Sequence, residues 1–251
     1  MSTAVEEAAR EALRARQGSG ARYDAATAPA TELAWARRGA AYFARALNDL
    51  PDDALSVPSL VPGWTRAHVV AHVGYNARAL ARLVEWARTG VEMPMYESEA
   101  ARTAEIDLGA TLPPRALRNL LHHAEVHLNV EWRDLTDVGW DAVVPGRHGA
   151  PLPIRETPWA RAREIWIHAV DLDNGGSFLD LPPDLLDRLL PELAAEADAG
   201  VTLVVSDCRP RIGDGPEVRG TAADLARWLA GRGARRLSGD LPEIVGPKDD
   251  G

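Results

Sequence analysis

Cysteine is nearly absent: a single thiol, Cys208, in 251 residues excludes an intramolecular disulfide framework and a cysteine-rich zinc cluster. Any metal site must therefore be built from histidines and carboxylates. Long apolar runs are also missing. The longest, such as Val201 to Val205, fall far short of the ~20 residues that span a bilayer, so no transmembrane helix and no membrane partner are expected. The first twenty residues carry Glu6, Glu7, Arg10, Glu11, Arg14 and Arg16 among alanines, and lack the apolar stretch and small-residue cleavage site of a secretory leader. A cytoplasmic location is the expectation. Lysine is scarce as well: of 28 basic residues only Lys248 is lysine, which leaves 27 arginines with no basic block among them. With a formal charge of -9 the chain has no basic face to neutralise phosphates, which argues against nucleic-acid binding. A small anionic substrate is compatible with that charge if the positive groups act locally.

What is present is ordinary for a soluble, core-forming protein: 46% hydrophobic and 26% charged residues exclude the disordered and fibrous classes. Residues 4–16 read as a short helix, but Gly18-Ser19-Gly20 and the Ala/Thr/Pro stretch at 25–31 interrupt it, so residues 1–30 are expected to be an N-terminal extension. From Thr31 to Leu50, apolar residues recur at helical spacing. Thr65 can cap a second helix that reaches Thr89, where Gly90 supplies a stop. A third helix is expected from about Pro113 to Leu135, a loop or small hairpin over 138–153, and a fourth helix from Thr157-Pro158 to Asp173, ended by Gly175-Gly176. Four long helices suggest a bundle over 31–175, with a site built from facing helices. The texture then changes to short elements: a helix at 185–197, a strand at 201–206, an element around Val218, a helix at 222–229 and a final strand at 235–238. That alternation implies a smaller α/β domain over 176–251.

The sharpest local signal is Arg163-Glu164-Ile165-Trp166-Ile167-His168-Ala169-Val170-Asp171. Glu164 and His168 are four apart on one helix, about 5–6 Å between Cβ atoms, which suits chelation of one ion. His72 lies mid-helix in an apolar stretch on what should be a facing helix. Two histidines and one carboxylate leave a fourth position open, the usual arrangement of catalytic zinc. The residues alone also allow plainer readings: a Glu164–His168 ion pair, and His72 as a core histidine bonded to a carbonyl. His68, four before His72, offers an alternative chelating pair, and His122, His123 and His127 are further histidines on the third helix, expected to be solvated or to line the bundle. Cys208, without a histidine in its local motif, is expected to pack inside the small domain.

The segment Val61-Pro62-Gly63-Trp64-Thr65-Arg66-Ala67-His68-Val69-Val70-Ala71-His72-Val73-Gly74-Tyr75-Asn76-Ala77 resembles the start of the second bundle helix of the mycothiol-dependent maleylpyruvate isomerases, within the DinB-like bundle superfamily. Similar stretches follow in order: Trp86 to Met95 with Tyr96, Ala101-Arg102, Pro114 to Leu120, Arg163 to Leu172, and Ala230-Gly231-Arg232-Gly233, so the likeness covers roughly 31–240. The resemblance implies a DinB-like four-helix bundle with a C-terminal α/β domain. It implies zinc held by His72, Glu164 and His168, with His68 outside the coordination sphere. It also implies a substrate-side arginine at Arg232, to which Arg102 adds a second candidate, both presenting a guanidinium to an anion.

The implied activity is isomerisation of maleylpyruvate to fumarylpyruvate by reversible addition of the mycothiol thiolate, with Zn²⁺ and mycothiol as cofactors. Trp64 and Trp166 are expected to wall the site. The implied partners are a small anionic substrate and a low-molecular-weight thiol, with a monomer the simplest assembly. Two other functions fit the same sequence. One is a mycothiol-dependent S-transferase acting on another electrophile. The other is a non-catalytic small-molecule carrier, since the C-terminal α/β unit is similar to lipid- and sterol-carrier folds.

Overall fold

The computed structural model describes residues 23–206 and 210–244. The expected helix at 4–16 and Cys208 lie outside the described residues. Helix α1 (Ala30–Asn48) buries Leu33, Trp35, Ala36, Gly39, Phe43 and Leu47 along one stripe. Helix α2 (Arg66–Thr89) opens with a reciprocal cap: the Thr65 hydroxyl accepts from the His68 backbone N–H, and the His68 side chain accepts from the Thr65 backbone N–H. It closes at Gly90, whose φ of 74° is the left-handed conformation that glycine adopts without penalty. Burial on several sides, from Val69 and Val70 to Leu83 and Val84, makes α2 the central helix. Helix α3 (Glu99–Ala110), α4 (Pro114–Asp134) and α6 (Thr157–Asp171) pack against it. A short helix α5 (Asp137–Trp140) and a hairpin of β1 (Val143–Pro145) with β2 (Pro151–Pro153), register Val144 opposite Leu152, fill the 138–153 segment.

Two contacts fix how the helices meet. At Gly39 a Cβ would lie 2.5 Å from Ile165 Cγ2, so only glycine lets α1 approach α6 this closely. Trp166 Nε1 then donates to the Trp35 carbonyl at 3.0 Å across the same seam. In the middle of the bundle Arg161, fully buried, donates to the Val73 carbonyl at 2.9 Å and to Asn76 Oδ1 at 2.8 Å, and pairs with Glu125. It ties α6 to α2 and α4 with its charge neutralised by one carboxylate.

Beyond the bundle, α7 (Pro183–Ala197), β3 (Thr202–Val205), β4 (Glu217–Gly220) and α8 (Ala222–Leu229) form a small α/β region. The strands run parallel, with Leu203 opposite Val218. Helix α7 is fastened to the bundle by Trp35 Nε1 to Asp184 at 3.1 Å and by Trp159 Nε1 to Glu192 at 3.0 Å, and the apolar core runs unbroken between the two regions.

Two secondary-structure elements differ from the sequence reading. Helix α3 stands where no element was expected. The strand expected at 235–238 is reduced to one bridge, Arg219 opposite Ser238.

Candidate metal centre

Helices α2 and α6 lie side by side and bring His72, Glu164 and His168 to one point, with one donor atom from each within 4.8 Å of the others. Glu164 Oε2 lies 3.0 Å from His72 Nε2 and 3.4 Å from His168 Nε2. The imidazoles meet edge to face, centroids 4.7 Å apart. Both are buried, and the Glu164 side chain keeps 14% of its surface exposed, which leaves one side of the cluster open.

Behind His168 stands a second tier. Its Nδ1 is 2.9 Å from Asp171 Oδ2, and Asp171 is fully buried. A carboxylate in that position accepts the Nδ1–H hydrogen bond and turns Nε2 toward Glu164, which is how liganding histidines are commonly held. Asp171 is in turn gripped by Arg232, with Nε to Oδ1 at 2.9 Å and Nη2 to Oδ2 at 2.6 Å. Gly231 and Gly233, at φ of 76° and 81°, form the turn that delivers the guanidinium.

Charge follows from these contacts. Burial opposes the Glu164 anion, but hydrogen bonds from His168 and His72 hold its carboxyl well below the usual carboxylate range. Burial likewise disfavours charge on His168, yet Asp171 and Glu164 outweigh it and push the imidazole up to about 9. His72 is lowered, chiefly by burial. Burial raises Asp171, and Arg232 and His168 bring it below its ordinary value. Near neutrality, then, a proton sits on His168 between two carboxylates. A cation coordinated there must displace it, because ligation needs neutral imidazole. Zinc uptake at pH 7 is expected to release about one proton per ion from His168, and affinity is expected to strengthen as pH rises toward 9 and then level off. Calorimetry in buffers of different ionisation enthalpy measures this; uptake with no proton release would contradict it.

The other sequence candidates are distributed as follows. Arg102, 5% exposed, directs Nη2 to His72 Nδ1 at 3.3 Å, and its buried Nε has no hydrogen-bond partner among the described residues. Arg232, expected to present its guanidinium to a ligand, instead spends Nε and Nη2 on Asp171 and a further N–H on the Ala230 carbonyl, so its contact with the cluster runs through Asp171 and His168. His68 serves the α2 cap, with Nδ1 2.7 Å from Thr65 Oγ1. Trp64 packs on His72, ring centroids 5.3 Å apart. Trp166, two residues from Glu164 and so on the other side of α6, stacks on Tyr42 at 5.0 Å and is no part of the wall. His122 and His123 are exposed. His127 gathers with Glu85 and Glu131, a second cluster of potential donors, but Arg88 already neutralises Glu131 with Nε at 2.9 Å. Sequence reasoning missed Asp171, although it lies three residues after His168, the spacing that puts both on one helix face.

These features define a class: a helical bundle with a small α/β region and a buried His–Glu–His cluster able to hold a cation. The family model of the mycothiol maleylpyruvate isomerase N-terminal domain matches residues 36–173. Two solved structures align with the chain, one of a mycothiol-dependent maleylpyruvate isomerase and one of a histidine-to-alanine mutant of that enzyme. Each has a TM-score of 0.81 and 38% sequence identity over 85% of this chain and 95% of that chain. A search of curated proteins gave no match. The chain belongs to the mycothiol-dependent maleylpyruvate isomerase family.

Proposed function

We propose that this protein is a zinc- and mycothiol-dependent isomerase that converts maleylpyruvate to fumarylpyruvate in gentisate-type aromatic degradation. The observation that carries the reading is the convergence of His72, Glu164 and His168 from two helices onto one point, in a chain 38% identical to an enzyme of that name. The donor set fits zinc: two imidazoles, one carboxylate, and a side of the cluster open for a fourth donor. A divalent ion bound there supplies a net positive charge that favours the thiolate of a coordinated thiol.

The rest is the work of the chain. Asp171 fixes the His168 tautomer so that Nε2 faces the cluster. Trp64 covers the His72 ring and limits water. Maleylpyruvate carries a cis double bond conjugated to a ketone. Thiolate addition to the alkene carbon forms a C–S bond and moves the electron pair onto the ketone oxygen as an enolate. Rotation about the resulting single bond and expulsion of the thiolate give the trans product and regenerate the thiol. Arg102, buried beside His72 with an unpartnered N–H, is placed to neutralise a substrate carboxylate or the enolate oxygen. Arg232 is the second arginine of this reading, and its contact with Asp171 makes orientation of His168 part of its role.

Among the described residues no helix is long and apolar enough to cross a membrane. A monomer in the cytoplasm completes the proposal. The test is metal content measured beside maleylpyruvate turnover, with mycothiol added or withheld. About one zinc per chain and fumarylpyruvate formed only with the thiol are expected. A stable thiol conjugate of another electrophile, without fumarylpyruvate, would favour the transferase, and a zinc-free protein without turnover would favour the carrier.

A further inference from the structure

Between the segment 91–97 and α3 lies a cavity of about 590 Å³, within the range of small-molecule sites, and Arg102 is part of its wall. Arg102, whose guanidinium reaches His72, is thus a residue that the cavity and the His–Glu–His cluster share. The Arg102 Nε is buried and has no hydrogen-bond partner among the described residues, so the protein does not use all the donors of this guanidinium. The charged lining is three carboxylates, Glu92, Glu97 and Glu105, against two guanidiniums, Arg82 and Arg102. Arg82 gives an N–H to the Met95 carbonyl and Arg102 Nη2 lies 3.3 Å from His72 Nδ1, so neither guanidinium is turned wholly to the carboxylates. Tyr96 lies between them, its ring centroid 5.9 Å from each guanidinium carbon, and Leu108 adds an apolar surface that is 70% exposed.

An excess of carboxylate repels a dianion such as maleylpyruvate. It suits a neutral polyol, because each carboxylate accepts hydroxyl hydrogen bonds at two oxygens, while Tyr96 and Leu108 can meet the C–H faces of a sugar ring. Mycothiol divides chemically in this way: a thiol on an acetylated cysteine, joined through an amide to glucosamine and inositol, which are uncharged and hydroxyl-rich. We infer that the cavity walled by Glu92, Glu97, Glu105 and Tyr96 seats the glucosaminyl-inositol part of the thiol cosubstrate, with Arg102 at its junction with the metal cluster. The inference rests on the thiol-dependent reading above.

The experiment uses the zinc-loaded full chain and a variant carrying Glu92→Ala, Glu97→Ala and Glu105→Ala; Glu92 and Glu97 are exposed and Glu105 is half-buried. N-acetylglucosaminyl-inositol, which lacks the cysteine but keeps the amide and so stays uncharged, is the probe. It is expected to inhibit wild type competitively against mycothiol and not against maleylpyruvate. In the variant, the KM for mycothiol is expected to rise about ten- to a hundredfold as charge-assisted hydrogen bonds are lost, with zinc content and the KM for maleylpyruvate unchanged. A variant whose KM for maleylpyruvate falls, or whose KM for mycothiol stays at the wild-type value, overturns the inference. If wild type shows no thiol-dependent turnover, the functional reading fails by itself, and calorimetric titration with N-acetylglucosaminyl-inositol still decides the cavity. Binding by wild type that the variant loses supports the assignment, and no binding, or equal binding by both proteins, overturns it.

Discussion

Glu164→Ala is expected to lose bound zinc and isomerase turnover together, with metal affinity falling on the order of a hundred- to a thousandfold. The magnitude follows from the ~10–16 kcal/mol by which proteins hold structural zinc through four ligands, about 2.5–4 kcal/mol for each, at about 1.4 kcal/mol per tenfold. The carboxylate is the only anion among the three donors, and its oxygen lies between two imidazole nitrogens at 3.0 and 3.4 Å, so no neighbouring donor replaces it without moving. The fold should tolerate the change, since His168 keeps its bond to Asp171 and α6 keeps its apolar face. Two interpretations separate cleanly here. If Glu164 and His168 were only a helix-surface ion pair, the variant would shift stability slightly and leave turnover alone. If they hold the metal, chelator competition and turnover fall in parallel while the melting transition stays cooperative. Full activity in a zinc-depleted Glu164→Ala preparation would sink the metal reading.

The three residues of the cluster were legible in the sequence because their signals are local. Glu164 and His168 are one helical turn apart, and His72 interrupts an apolar run where a polar side chain needs a reason to be buried. The helices that carry them were legible for the same kind of reason: the Thr65 and Gly90 ends of α2 and the Pro158 start of α6 are chemical punctuation. What stayed hidden depends on distance or on weak periodicity. Helix α3 buries only Arg102, Ile106 and Gly109, too sparse a stripe to show a period, although Ser98 before Glu99 was a cap signal that could have marked its start. The Arg161 cluster was invisible because nothing local separates that residue from the 26 other arginines, and only the fold shows that Asn76 and Glu125 surround it. Trp166 was misplaced because an aromatic near two residues of the cluster suggests a wall, whereas a residue two positions along a helix faces away from them. Arg232 was found through the family resemblance of Ala230-Gly231-Arg232-Gly233, but its partner Asp171 is 61 positions away and could not be read from either segment.

Asp171→Asn and Arg232→Ala should resemble each other, and that likeness is the sharpest test of how the small α/β region serves the site. Arg232 grips Asp171 through two hydrogen bonds, Asp171 holds His168, and all three are buried or nearly so. Removing the guanidinium leaves a carboxylate inside the protein without its main counterion, a change that costs about 3–5 kcal/mol when a buried pair is broken. Asn at 171 keeps the shape and a carbonyl for the His168 Nδ1–H, but loses the charge that Arg232 and the imidazole both answer. Both variants are therefore expected to weaken zinc about 10–100-fold, the usual effect of removing a ligand's supporting group, and to lower the melting temperature, Arg232→Ala more than Asp171→Asn. Arg232→Lys should rescue little, since an ammonium cannot reproduce the forked contact with both carboxylate oxygens. An arginine whose task was only to bind the substrate would give another pattern: intact zinc affinity, intact melting and a raised KM for maleylpyruvate. Chelator competition, thermal melts and KM measured on the same three variants distinguish the two. A raised KM alone in Arg232→Ala would move that residue from supporting the metal cluster to touching the substrate.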